Sequence, residues 1–264
     1  MESSQEILQN TAHRPYPLPN GPWVMRQTWR HLLFAHWPVP AETLKPILPK
    51  GIELDTYNGQ AYVGVLPFYR TNVRVRMLPQ IPGVSSMPQI NIRTYVRRED
   101  KPGVYFLALD TNNLPTVLMT RLTLGLPYYQ AELKWSTRRD STGTRIECHS
   151  TRLGSADRKQ SLGVSFEPIS VADETVDGSL DHWLVERYCL YTVHLNRLLR
   201  VDIHHKKWKI QHATAKFYEH SLLDTYLHHE ERTERVRAPL LHYAREMDAL
   251  MWASRILSPV NPVR

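Results

Sequence analysis

With 264 residues, 42% of them hydrophobic, the chain has enough apolar material for one large domain with a proper core. Two cysteines, Cys148 and Cys189, exclude a disulfide framework and fit a reducing, cytoplasmic setting. The polar residues 1–10 carry no signal-peptide pattern, and no run approaches the roughly 18 apolar residues of a membrane span. The net charge of +7 is spread along the chain, densest at 70–76, 97–98, 138–139 and 206–209. Without a nucleic-acid motif this reads as a solvated basic surface, one that steers small anions rather than nucleic acid.

In chain order, residues 1–22 hold four prolines and read as a mobile tip followed by an extended arm. Residues 23–264 read as a single β-rich domain. Residues 23–37 suit two strand segments bent near 29–31, and Pro40 opens a short helix over 40–48. Tyr57-Asn58-Gly59 is a hairpin turn between strands at 52–56 and 60–68. Residues 78–88, with three prolines and a glycine, form a long ordered loop of the kind that often covers a site. Strands follow at 90–97 and 104–110, then a helix at 114–124, broken by Gly125 and Pro127. A meander is expected at 128–136, 145–152 and 162–166, a helix at 179–186, and strands at 187–193, 198–203 and 208–218. The chain ends in a helical stretch at 222–227 and an apolar tail at 240–252. The sum is an α+β, β-rich fold, a closed barrel or a sandwich of mostly antiparallel strands with short helices packed around it.

Period-2 alternation puts Asn91, Arg93 and Tyr95 on one face of their strand. It likewise puts Tyr105 opposite Phe106 on the next. An interior Arg93 needs an anion beside it, from the protein or from a ligand, and a guanidinium matches a carboxylate in two-point geometry. Of the adjacent Tyr128 and Tyr129 only one can enter a cavity, where a phenol can hydrogen-bond a carbonyl or donate a proton. The histidine clusters His204-His205 and His228-His229 lack metal-ligand spacing, so no metal and no cofactor are expected. Glu186-Arg187-Tyr188 suits a buried ion pair.

The segment Gly125-Leu126-Pro127-Tyr128-Tyr129-Gln130, entered by a helix bearing Arg121 and left by a strand, resembles the acetoacetate decarboxylase-like superfamily. Leu33-Phe34-Ala35-His36-Trp37-Pro38-Val39, Val63-Gly64-Val65-Leu66-Pro67-Phe68 and Asn91-Ile92-Arg93-Thr94-Tyr95-Val96 are similar to its YqjF-like family of conserved proteins. The resemblance spans about 15–252 and implies the superfamily's closed sheet. It also implies a missing reaction, because decarboxylases of the group carry two adjacent lysines after the proline and one forms a Schiff base with a keto acid. This chain has two tyrosines there. Lys134 and Lys216 are the remaining lysines on nearby strands, and neither has a lysine neighbour. His36 lies where the decarboxylases carry pocket residues. The expected activity is therefore proton transfer on a small organic acid or carbonyl compound without an imine, of lyase, hydratase or isomerase type. Tyr128, Tyr129 and His36 would act as catalytic groups, and Arg93, Tyr95, Asn91, Tyr105 and Arg121 as binding groups. The alternative is a non-catalytic organic-anion binder. A homo-oligomer stays open.

Overall fold

The computed structural model describes residues 3–141, 143–154, 160–224 and 238–259. The end of the helix expected at 222–227, Thr142 of one expected turn and the pair His228-His229 lie outside them. Before the sheet, Ser3 and Glu6 form a reciprocal cap that starts helix α1 (Ser4–Gln9), and Ile7 is buried against Leu250 and Trp252. The sequence reads this stretch as a mobile tip, but one buried isoleucine and a cap suffice to order a turn and a half of helix.

The core begins with β1 (Met25–Val39), which is a single strand. Its expected bend is present at His31, with φ 50° and a register shift against the next long strand. A one-turn helix α2 (Ala41–Leu44) follows, then β2 (Glu53–Leu54), β3 (Ala61–Val75), β4 (Met87–Arg98) and β5 (Lys101–Thr111). The Asn58-Gly59 turn forms, with both φ values positive, and a bridge joins Tyr57 to Gln60. The arms leading into that turn do not pair as a hairpin, however. The short β2 pairs with β4 instead, because β1 already occupies the free edge of β3.

Helix α3 (Leu114–Leu124) starts on an Asn113 cap and stops at Gly125, whose φ of 65° ends the helix. The meander β6 (Tyr128–Asp140), β7 (Gly143–Arg152), β8 (Ser161–Pro168) is antiparallel throughout. Beyond it lie β9 (Asp173–Glu174), α4 (Leu180–Val185), β10 (Cys189–His194), β11 (Arg197–His204), β12 (Lys209–Glu219), α5 (Ser221–Asp224), β13 (Leu240–Met251) and β14 (Arg255–Pro259). The segment read from sequence as an apolar tail is thus β13, a central strand paired with β1 from Met25↔Met251 to His36↔Leu240.

The pairings close on themselves twice. One ring runs β1–β3–β4–β5, then the parallel β5–β10 step, then β11 and β13 back to β1. The other leaves β5 through the parallel β5–β6 step and returns through β7, β8, β12 and β13. The five shared strands therefore have an interior on both faces. On β1, Leu32 and Phe34 face one core while Leu33, Ala35 and Trp37 face the other. This is why β1 and β3 read as nearly continuous apolar runs.

Candidate functional site

On β3, Leu66, Phe68 and Arg70 share the face that lines the first ring, and on β4 the same face carries Gln89, Asn91 and Arg93. The register sets Arg70 against Met87, Phe68 against Gln89, Leu66 against Asn91, and Gly64 against Arg93. Together with Trp29, Phe34, Phe106, Leu109, Tyr128 and Trp208 these residues enclose a cavity of about 420 Å³. Leu78, Pro79, Ile81, Val84 and Ser85 of the proline-rich loop and Met119, Thr120 and Thr123 of α3 form part of its boundary. None of the described lining residues is Asp, Glu or Lys.

Two inward guanidinium groups, those of Arg70 and Arg93, face this space without an acidic partner among the described residues, while Arg74, also in the lining, is exposed. Arg70 is only 7% exposed. Its Nη1 donates to the Tyr128 hydroxyl (3.3 Å), its Nη2 to Met87 Sδ (3.1 Å), and its buried Nε has no partner. Tyr128 in turn donates to Gln89 Oε1 (3.2 Å), and Gln89 Nε2 donates to Asn91 Oδ1 (2.6 Å). Arg93, half-buried, donates through Nη2 to the Leu184 carbonyl (3.1 Å) and weakly to the Tyr95 hydroxyl (3.4 Å), and its Nε is also unpaired. A further arginine of the lining, Arg187, is neutralised by Asp55 at 2.6 Å. That pairing replaces the one expected within Glu186-Arg187-Tyr188. Glu186 instead accepts from the Tyr188 hydroxyl and from the Trp208 backbone N–H (2.8 Å).

His36 and Tyr95 stand behind Arg93 rather than in the cavity lining. Both are fully buried, and Tyr95 donates its one hydroxyl proton to the Leu184 carbonyl (2.9 Å). The 2.6 Å contact with His36 Nε2 then makes the histidine the donor, an assignment made from the hydrogen-bond network. Burial, and next the nearby Arg93 charge, push the His36 pKa well below the ordinary value, so the ring is neutral. A Cβ at Gly64 would lie 2.9 Å from the His36 ring, so the glycine is what admits the imidazole beside β3.

Three residues named from sequence lie elsewhere. Tyr105 faces the second core, because β5 carries a bulge: Ile92 pairs with Ala108 but Arg93 with Phe106. Leu107 and Ala108 consequently point the same way, and Phe106 and Leu109 are the residues turned to the cavity. Tyr129 also faces the second core, under the Arg152 guanidinium at 3.9 Å. Arg121 is exposed, and its Nε donates to the Tyr128 carbonyl (2.6 Å), bracing the turn between α3 and β6. Lys134 is 73% exposed beside Glu132, and Lys216 is exposed.

The sequence reading misses Arg70, Gln89 and His205. Arg70 falls in the basic stretch at 70–76, yet simple alternation from Leu66 and Phe68 assigns it to the interior. His205, on the cavity wall, donates from Nδ1 to the Lys206 carbonyl (2.7 Å), leaving Nε2 as an acceptor. Burial lowers its pKa to about 3, partly offset by that hydrogen bond. Nothing in the local sequence marks it, since its neighbour His204 is engaged with the Ile7 carbonyl of α1 (2.8 Å).

The doubly closed sheet and its interior cavity give the chain an acetoacetate decarboxylase-like fold. Three solved structures share the architecture. The enduracididine biosynthesis enzyme MppR in complex with pyruvate is similar at a TM-score of 0.60 with 13% identity, over 93% of this chain and 94% of that one. An acetoacetate decarboxylase-like enzyme from Sphingomonas wittichii RW1 has a TM-score of 0.58 and 11% identity, over 94% and 98%. Acetoacetate decarboxylase from Legionella pneumophila has 0.56 and 11%, over 96% and 95%. At such identities the likeness establishes the fold alone. Within that class the chain belongs to the DUF2071 family of uncharacterized conserved proteins, which matches residues 26–248. It is 42% identical to the protein YqjF of Bacillus subtilis strain 168 over 238 residues, 90% of this chain and 94% of that one.

Proposed function

We propose that the protein is an enzyme acting on a small organic acid with a carbonyl group, by proton transfer and without a Schiff base. The observation that carries this reading is Arg70, a buried guanidinium in an acid-free and lysine-free lining, hydrogen-bonded to the phenol of Tyr128. A buried cation without a counter-ion is costly, and a substrate carboxylate removes that cost on binding. On binding, Tyr128 exchanges its bond to Gln89 Oε1 for one to the substrate carbonyl, donating the same O–H. There it stabilises the negative charge that grows on oxygen as a proton leaves the adjacent carbon. His205, held neutral with Nε2 unprotonated, is a titratable acceptor in the same cavity. MppR, of the same fold, holds pyruvate, which supports a 2-oxo acid as the first substrate class to try.

The test is deuterium exchange. Pyruvate or 2-oxobutyrate incubated with the protein in heavy water should gain deuterium beside the carbonyl, followed by NMR. Tyr128→Phe should slow exchange by roughly 10²- to 10⁴-fold while leaving the dissociation constant within tenfold. Arg70→Ala should weaken binding itself. Binding without exchange would mean an organic-anion binder in place of an enzyme, and no binding of any 2-oxo acid would end the reading.

A further inference from the structure

The two inward arginines without an acidic partner, Arg70 and Arg93, do not converge on one point. Arg93 lies opposite Gly64 and Arg70 is six positions further along β3, which puts their backbones about 20 Å apart at 3.3 Å per residue. Their side chains do not close the gap. Arg70 is held at the Met87–Gln89 end by Met87 Sδ and Tyr128. Arg93 points the other way, to Tyr95 and the Leu184 carbonyl. The guanidinium groups thus sit roughly 20 Å apart on the same register count, too far for one carboxylate to touch both.

Apolar wall lies between them. Leu66 and Phe68 of β3 face Phe106 and Leu109 of β5 across the polar rail of Gln89 and Asn91, and Trp29 and Phe34 of β1 join the lining. The stretches of chain that carry most of these lining residues are free of acids as well. No Asp or Glu occurs at 56–98, 111–131 or 249–259. A cavity with a cation at each end, a mainly apolar middle and a volume of about 420 Å³ is longer than a three- or four-carbon acid requires.

We infer that the ligand is an elongated organic acid with a polar group at each end: an anionic terminus at Arg93, a second carboxylate or carbonyl at Arg70 and Tyr128, and an aliphatic segment against Leu66, Phe68 and Leu109. This rests on the proposed carboxylate site at Arg70 and extends it to the far arginine. A substrate of this class has its reacting carbonyl at the Tyr128 end and its identifying terminus at the Arg93 end. Arg93 is then a specificity residue rather than a catalytic one.

Calorimetric titration with linear dicarboxylic acids from succinate to dodecanedioate, and with the matching monocarboxylic acids, tests it. Tryptophan fluorescence provides a second readout, since Trp29 and Trp208 line the cavity. Affinity should rise by about fourfold per buried methylene, reach a maximum at an intermediate dicarboxylate and fall beyond it. At that maximum Arg70→Leu and Arg93→Leu should each weaken binding tenfold or more. For pyruvate only Arg70→Leu should do so. A flat or falling series, or a best-binding diacid that responds to only one arginine, overturns the inference. If pyruvate still binds through Arg70 in that case, the small-acid reading stands alone. If long diacids bind through both arginines while pyruvate does not bind, the elongated ligand stands and the small-acid reading falls.

Discussion

Arg70 brings a full charge into an interior with no acid among the described residues to answer it, and this has opposite consequences for stability and for binding. Replacing a buried unpaired ion by an apolar side chain of similar length is commonly neutral or stabilising. Arg70→Met should therefore hold or raise the melting temperature of the ligand-free protein while abolishing carboxylate binding, since Tyr128 keeps its own bond to Gln89. A melting temperature lowered by several degrees would mean that Arg70 is a structural brace. Arg93→Ala should weaken a bound carboxylate by roughly 2 to 5 kcal/mol, and Arg93→Lys should also lose affinity because the planar fork is gone. Lysines give a negative prediction at the same scale. Lys134 and Lys216 are exposed and lie outside the cavity lining, so borohydride added with acetoacetate should leave the mass of the protein unchanged. A stoichiometric adduct on either lysine would restore imine chemistry.

Among the elements, the α3–β6 junction fixes how Tyr128 enters the cavity. Gly125 ends the helix with a left-handed backbone, and a Cβ there would lie 2.4 Å from the Val193 carbonyl of β10. Gly125→Ala thus combines backbone strain of about 1 kcal/mol with a clash that must move either β10 or α3. Gly59, with φ of 82° and open space around it, isolates the strain alone. Urea unfolding should show a loss of roughly 1 to 2 kcal/mol for Gly59→Ala and about 1 kcal/mol or more beyond that for Gly125→Ala. Equal losses would mean that β10 yields freely and that the junction is not tightly packed.

For the molecule as a whole, buried neutral histidines set the acid limit. The folded pKa of His205 is about 3 against an ordinary value near 6.5. Between these values the unfolded chain binds a proton that the folded chain refuses. The stabilisation is complete above about pH 6.5 and is lost as pH falls toward 3, at about 1.4 kcal/mol per unit for this one residue. His36 acts with the same sign. Thermal melts should therefore be flat from pH 8 to 7 and fall steadily below 6, with a shallower fall in His205→Gln. A melting temperature that rises on acidification would contradict both assignments.

Local sequence determined much of this protein. Helix α3 with its stop at Gly125, the three-strand meander and the shared face of Asn91, Arg93 and Tyr95 are all legible there, because caps, glycines and period-2 alternation act over a few residues. The lack of a lysine pair after Pro127 is likewise plain in one dimension. Tertiary structure decided the rest. Whether Tyr128 or Tyr129 turns inward depends on the pairing of β6 with β5, and the exclusion of Tyr105 depends on one extra residue in β5, which alternation alone cannot register. The sequence from Leu240 to Met251 shows only apolar content, and its place between β1 and β12 comes from closure of the two rings. Arg70 is the clearest case. Along the chain it begins a basic stretch, alternation says only that it shares a face with Leu66 and Phe68, and it is the sheet closed around that face that sets the charge at one end of a cavity.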